Sequence, residues 1–392
     1  MTNMPETESF LGYTRANSPP GVRNHVVILS LSGLDNGTAR ALHRQYPQTI
    51  LIGSAYGRGH VGDDLVFQRH MMKALATHPN VGACVVIGPD NALVAETCEA
   101  LEGAGRLHTG FSLQRAEEDR FALIDQGARA VTRLLHDVSR QRRSRHPLSD
   151  LSFAIECGHS DATSGIVSNP LAGDLAIWLV QAGGRAVFSE TLEWTGTDDI
   201  LSARAANPDI AGAVRAAMAR RHEHARAAGH DVQANNPGPQ NHAGGITTLE
   251  EKSLGAIAKG GEQPIVGLLR EGQALGKEPG LYLMDTPCFS PESITSMIAS
   301  GAQVALFTTG QGNPYASALA PTIKISANPD TIARLPEQID IDAGAVLEGT
   351  ATREDLLPAA RAAVLDIANG ALTWGETAGE GIESISRLAA SI

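Results

Sequence analysis

Leu151-Ser152-Phe153-Ala154-Ile155-Glu156-Cys157-Gly158-His159-Ser160-Asp161 is an apolar run that ends abruptly in polar chemistry. Leu151 to Ile155 reads as a buried strand. Asn169-Pro170 reads as a helix start, since the missing proline N–H is not needed in a first turn. Between them lies a strand-to-helix loop carrying Glu156, Cys157, His159, Ser160 and Asp161. In α/β folds such loops stand at the carboxyl edge of the sheet, where ligands bind. Structure alone gives little reason to crowd those five groups into one loop, so the stretch points to an enzyme.

The same alternation extends in both directions. Upstream, strands are expected at His25–Ser30, Thr49–Gly53 and Gly82–Gly88. Helices are expected near 35–46, 64–77 and 91–103, and a long one over 114–142. Downstream, Arg185–Glu190, Gly280–Met284, Gln303–Phe307 and Thr322–Ser326 read as further strands, with helices over 197–228. This is βα alternation, and it predicts an α/β fold of two Rossmann-like three-layer units with mostly parallel sheets. Pro147 and the basic run before it place the boundary, giving an N-terminal domain at 1–148 and a C-terminal domain at 149–392. Residues 233–245, rich in Asn, Gly and Pro, read as a loop long enough to be functional.

A chain of 392 residues is long enough for two or three domains. No apolar run reaches membrane-span length, and the first ten residues lack the apolar core of a signal peptide, so a cytoplasmic protein is expected with no membrane partner. A formal net charge of −12 argues against nucleic acid as a partner. The one basic patch, Arg140 to His146, has no interleaved aromatics and reads as a solvated helix end. Cys84, Cys98, Cys157 and Cys288 form no CxxC pair, so structural disulfides are not expected.

Polar residues recur at the ends of the C-terminal strands: Glu156 and Cys157, Glu190 and Thr191, Asp285 and Thr286, then Thr308, Thr309 and Gln311. If the strands are parallel, all of these face one crevice. Cys157 and His159 suit a divalent metal or a nucleophile–base pair; a buried thiol and a packed loop histidine are the structural alternative. Glu190 suits a ligand or a base with a raised pKa, or else a helix cap. Asp285 is a ligand or an Asx-turn residue before Pro287. Thr247 with Glu250 matches a capping box, and the free N–H groups of that helix start suit a substrate carboxylate. Capping leaves Lys252, Lys259 and the preceding His242 unexplained. In the N-terminal domain, Arg23-Asn24-His25 and Tyr56-Gly57-Arg58-Gly59-His60 offer arginines for carboxylates, with a plain turn as the alternative for the second.

These residues, taken together, resemble the altronate/galactarate dehydratase family. The resemblance is carried by Glu156-Cys157-Gly158 with Ser160-Asp161, Ser164-Gly165 and Asn169-Pro170, and by Ser189-Glu190-Thr191. Gly244 to Lys252, Met284 to Pro287 and Phe307 to Gly312 add to it. It spans nearly the whole chain and implies removal of water from sugar acids to give 2-keto-3-deoxy acids, with Fe(II) or another divalent ion such as Mg or Mn. Arg23 to Leu29 and Ala55 to Arg58 look nearer to the branch holding the large subunit of (2R)-sulfolactate sulfo-lyase, which expels sulfite. That branch implies a separate small β-domain subunit, and a homo-oligomer is also expected. Two departures stand out. His60 occupies the place of a usual cysteine, and no cysteine stands near Asp90-Asn91, so the resemblance leaves open whether a metal is kept.

The expected reaction removes the proton α to a carboxylate and expels a group from the β carbon. On this reading Cys157, His159 and Glu190 surround the metal or reacting centre. His25, His60, His159, Glu190 and His242 are the acid/base candidates. Arg23, Arg58, Ser160, Asp161, Ser164, Asn169, Thr247, Thr248, Lys252, Asp285, Thr308, Thr309 and Gln311 are the candidates for binding a small carboxylate substrate. A nicotinamide dehydrogenase is the first rival, but Leu31 to Gly37 has its glycines at the wrong spacing for the dinucleotide turn. A non-catalytic homologue is the second.

Overall fold

The computed structural model describes residues 8–57, 59–232 and 236–387. Two compact units emerge, one built mainly from Leu11–His146 and the other mainly from Pro147–Ser317 and Pro321–Gly381. Both are α/β, and every strand pairing within their main sheets is parallel.

The main sheet of the first unit has four strands among the described residues: β1 (His25–Ser30), β2 (Ile50–Gly53), β3 (Val81–Gly88) and β4 (Leu107–Ser112). Their order is β2-β1-β3-β4. The period of two in a strand decides the packing. Val26 and Ile28 of β1 and Val85 and Ile87 of β3 bury against Leu42 of α1 (Asn36–Gln45) and against Val131 and Leu134 of α4 (Arg120–Val138). Helix α2 is Gly62–Ala76. Val86 turns to the other face, as does its neighbour in register, Gly110 of β4. A Cβ at Gly110 would meet Val94 and Cys98 of α3 (Asn91–Gly103), so that helix covers this face.

Two expectations for this unit are corrected. Strand β4 was not anticipated, because its residues are only half-buried and include polar His108 and Thr109. The expected helix over 114–142 is shorter, starting at Arg120 behind an Asp119 cap that accepts from the N–H groups of Phe121 and Ala122. Glu117 and Glu118 lie at φ of 51° and 64°, in the left-handed region, and no α-helix runs through two such residues.

The main sheet of the second unit has seven strands among the described residues: β5 (Ser152–Cys157), β6 (Arg185–Phe188), β7 (Ile265–Arg270), β8 (Gly280–Asp285), β9 (Val304–Thr308), β10 (Thr322–Ser326) and β11 (Ile341–Asp342). Their order is β11-β10-β9-β5-β6-β8-β7. The edge strands β7 and β11 were not anticipated; one is half-buried and the other only two residues long. The chain leaves the centre at β5, builds one half through β6, β7 and β8, then crosses to β9 on the other side. Strand order therefore reverses beside β5, the position where open parallel sheets hold their ligands. Register brings the carboxyl ends level. Cys157 stands opposite Thr308, and Ile155 and Leu283 both stand opposite Phe188.

Helices α5 (Asn169–Gln181), α6 (Asp198–Ala203), α7 (Pro208–Ala227), α8 (Pro239–Ala243) and α9 (Leu249–Ile257) belong to this unit. The segment read as a loop over 233–245 therefore contains a short helix; its first three residues, 233–235, lie outside the described residues. The cap of α9 is shifted by one residue from the Thr247–Glu250 pairing. Thr248 accepts from the Glu251 N–H, while Glu251 Oε2 accepts from the N–H and hydroxyl of Thr247. Glycines set two close approaches. Gly165 and Gly255 pass so closely that a Cβ on Gly165 would lie 3.2 Å from the other's Cα. A Cβ on Gly173 of α5 would lie 2.5 Å from the Ala258 oxygen, so α5 seats the turn that carries Lys259. No helix among the described residues is long and apolar enough to cross a membrane.

Candidate active site

Strand β5 is buried from end to end, and its last two side chains open the site. The Glu156 carboxylate is fully buried and fully used. Oε1 accepts from the Cys157 N–H at 3.0 Å and from the Lys259 ammonium; Oε2 accepts from the hydroxyls of Ser189 (3.0 Å) and Ser293. Four donors fill the roughly four lone-pair sites a carboxylate offers. The Cys157 thiol donates to Glu193 Oε2 at 3.5 Å and accepts from Lys259 at 3.2 Å. Burial raises its pKa, so it stays a thiol.

The end of β6 supplies the acid pair. Glu190 follows the strand at φ 68°, and the 3₁₀ turn Thr191–Trp194 then brings Glu193 round to the same side, since residues three apart eclipse in that helix. Trp194 anchors the turn by donating to the Ser189 carbonyl at 3.2 Å and packing edge-on to Phe188. Burial, then the Glu156 and Glu193 charges, push the Glu190 pKa well above the usual carboxylate range. Glu193 goes the other way. Burial works against its charge, but Lys252 and Lys259 overcome that and hold its pKa at about 2. Glu190, neutral, hydrogen-bonds the Glu193 carboxylate.

Helix α9 brings Lys252, whose ammonium lies 2.7 Å from Glu193 Oε1 and 2.6 Å from Asn236 Oδ1. Burial would lower its pKa, yet Glu193 reverses this and leaves it raised, so the ammonium persists. His159 sits on the turn after β5 at φ 52°. Its Nδ1 lies 2.9 Å from the Gly312 carbonyl, which can only accept, so Nδ1 carries the proton and Nε2 is left an acceptor. Cys157, His159, Ser160, Glu190, Glu193 and Lys252 line one cavity of about 570 Å³. Four non-glycine residues among those described have left-handed φ, and two of them, His159 and Glu190, are in this lining. Such strain is concentrated where function requires an orientation the backbone resists.

The other expected residues are placed as follows. Asp161, Ser164 and Asn169 line an adjoining hollow of about 300 Å³ that shares Ser160 and Lys252 with the cavity. Asp161 Oδ1 accepts from Thr163 and from the Ser164 N–H, and Oδ2 from Asn328. Asn169 donates to the Gly255 carbonyl and accepts from Thr308 at 2.5 Å. Thr309 accepts from the Gly312 N–H, and Gln311 donates to the Gln240 carbonyl. Asp285 accepts from Arg220 and Arg221 of α7 and from Thr191. His242 Nδ1 donates to the Ile246 carbonyl. Thr247 and Thr248 are spent on the cap of α9. In the first unit, Arg23 donates to the Val22 carbonyl, and the His25 N–H donates to Asn80 at the amino end of β1. His60 is buried, packs on Tyr56, and its Nε2 has no hydrogen-bond partner. Arg58 lies outside the described residues. All four cysteines are free.

A divalent ion was expected among Cys157, His159 and Glu190. By distance, a buried Glu156–Cys157–Glu190 group could hold one, its donor atoms lying within 4.8 Å of one another. The chemistry of that set fits poorly. Glu156 has no lone pair to spare, and an ammonium already stands between it and the Cys157 sulfur.

Two carboxyls, an ammonium and an imidazole line one cavity at the carboxyl edge of a parallel sheet, a set of groups able to exchange protons with a bound acid. Comparison with known proteins defines the class further, as a lyase. The model of the D-galactarate/altronate dehydratase C-terminal domain matches residues 148–390, and that of the D-galactarate dehydratase/altronate hydrolase second domain matches residues 12–139. This chain belongs to the D-galactarate/altronate dehydratase family. It is 31% identical over 386 residues to the (2R)-sulfolactate sulfo-lyase subunit beta of Chromohalobacter salexigens, covering 97% of each chain. It is 33% identical over 376 residues to the altronate dehydratase of Escherichia coli, covering 93% of this chain and 74% of the relative. The altronate dehydratase of Bacillus subtilis is 31% identical over 381 residues, with 94% and 75% covered.

Proposed function

We propose that this lyase catalyses β-elimination from a small 2-hydroxy carboxylate, giving a 2-keto acid through an enediolate. The observation that carries this is the cavity wall, where the Glu190 and Glu193 carboxyls hydrogen-bond each other and the Lys252 ammonium pairs with Glu193. Glu190 suits a base by sequence alone; with burial and the Glu156 and Glu193 charges raising its pKa, it takes the role of the acid. It protonates the leaving oxygen on the β carbon. His159, with Nε2 free to accept, takes the α proton. Lys252 receives the substrate carboxylate and the charge that gathers on it as the enediolate forms. Glu193 holds Lys252 and Glu190 at their stations. A cavity of about 570 Å³ is ample for a sugar acid. No step is assigned to a metal.

A second reading, release of sulfite from sulfolactate, is favoured by the relative that aligns over 97% of both chains. The name of that relative denotes one subunit of an assembly, so on this reading a separate small subunit accompanies the chain. The two share every step up to departure of the leaving group. A panel of sugar acids, simple 2-hydroxy acids and sulfolactate separates them. Keto acid without sulfite supports the dehydratase, and keto acid with equimolar sulfite supports the sulfo-lyase. Folded protein, with and without a partner subunit, that forms no keto acid from any member would refute both.

A further inference from the structure

We propose that Lys259 is a built-in cation that occupies the ion position of the Glu156–Cys157–Glu190 group and keeps divalent metal out of it. Three observations converge. The three donor atoms lie within 4.8 Å of one another, the spacing of a metal site. The Lys259 ammonium bonds two of the three residues, Glu156 and Cys157, and its side chain is 1% exposed. The Glu156 carboxylate has all its lone pairs committed, to Lys259, the Cys157 N–H, Ser189 and Ser293. A metal ion entering here would have to displace an ammonium from two bonds, strip a carboxylate of a donor, and take the proton from a thiol engaged with Glu193.

The fold presents Lys259 deliberately. Helix α9 ends in the 3₁₀ turn Ala258–Gly260, and Gly261 at φ 62° reverses the chain. Gly173 of α5 and Gly260 are the points of closest approach: a Cβ on Gly173 would meet the Ala258 carbonyl, and one on Gly260 would meet the Phe188 ring. Phe188 in turn lies 5.9 Å beneath the ammonium. Lys259 does not line the cavity, so it acts through Cys157 and Glu156 as a positioning residue. That it serves the reaction rests on the lyase reading above; that it keeps a metal out does not.

Co(II) reports on thiolate ligation through its charge-transfer absorption, whatever the protein catalyses. The test titrates Co(II) into the full chain, into Lys259→Ala and into Cys157→Ser. The expected result is no thiolate band in the parent at one equivalent of Co(II), and a band in Lys259→Ala. A band in the parent that Cys157→Ser abolishes would overturn the proposal. So would a folded Lys259→Ala chain that binds no Co(II), since Lys259 would then not be what excludes it. Should Lys259→Ala fail to fold, Lys259→Met, which keeps the side-chain volume without the charge, takes its place with the same band expected, and a folded Lys259→Met chain without a band would overturn the proposal. Failure of the lyase reading would show instead as absent keto acid, with the Co(II) result unchanged.

Discussion

Glu190→Gln lowers turnover by about 10²–10⁴-fold, the usual worth of a positioned general acid, and leaves the protein folded. The amide copies the neutral carboxyl in size and charge and still donates to Glu193, so the wall of the cavity keeps its shape. It cannot give a proton to a leaving oxygen. KM should change little, because Lys252 and Ser160 are untouched. The pH dependence has a definite sign. Glu190 acts while protonated, and burial with two neighbouring carboxylates lifts its pKa. Turnover in the parent therefore falls as pH rises through that raised pKa, and the residual turnover of Glu190→Gln lacks this alkaline limb. Steady-state kinetics across pH check both points; undiminished turnover in the variant would remove Glu190 from the mechanism.

Glu156→Gln destabilises the second unit by about 3–5 kcal/mol, because it leaves the Lys259 ammonium buried without its countercharge. Restoring neutrality should recover most of this. The double variant Glu156→Gln with Lys259→Met replaces a buried charge pair by uncharged groups of similar size, a change that is often nearly neutral. Urea unfolding midpoints of the parent, both single variants and the double variant form a cycle that reads the coupling directly. A Glu156→Gln protein as stable as the parent, or a double variant no better than either single one, would show that the pair does not organise this strand end.

Much of this was legible in the chain. Apolar runs bounded by polar tips located β1, β5, β8, β9 and β10 closely, because central parallel strands are buried on both faces and read as continuous apolar stretches. The edges β4, β7 and β11 escaped for the converse reason. The Glu156–Asp161 loop announced the site, and register on either side of β5 brought Glu190 to it. Lys252 came from a different stretch, the helix start at Thr247 to Lys252, and its role came from Glu193, which carries no signal of its own in the sequence. Glu193 becomes a site residue only because a 3₁₀ turn follows Glu190, and a single-sequence pattern does not separate that turn from an α-helical start. Lys259 stood out as unexplained by capping, and the Gly260-Gly261 pair behind it was the available signal of a sharp turn. The saturation of Glu156 was not legible at all. It depends on Ser189 and Ser293, which lie 104 positions apart in sequence and converge only when the sheet forms.

The measurement that bears most directly on proton abstraction at this cavity uses the acid identified from the substrate panel, deuterated at the carbon next to its carboxylate. Abstraction of that proton followed by ketonisation of the enol gives a slower kcat/KM for the deuterated acid and a 2-keto product that has gained one solvent hydrogen at the adjacent carbon. A 2-keto product with no solvent hydrogen at that carbon would contradict it.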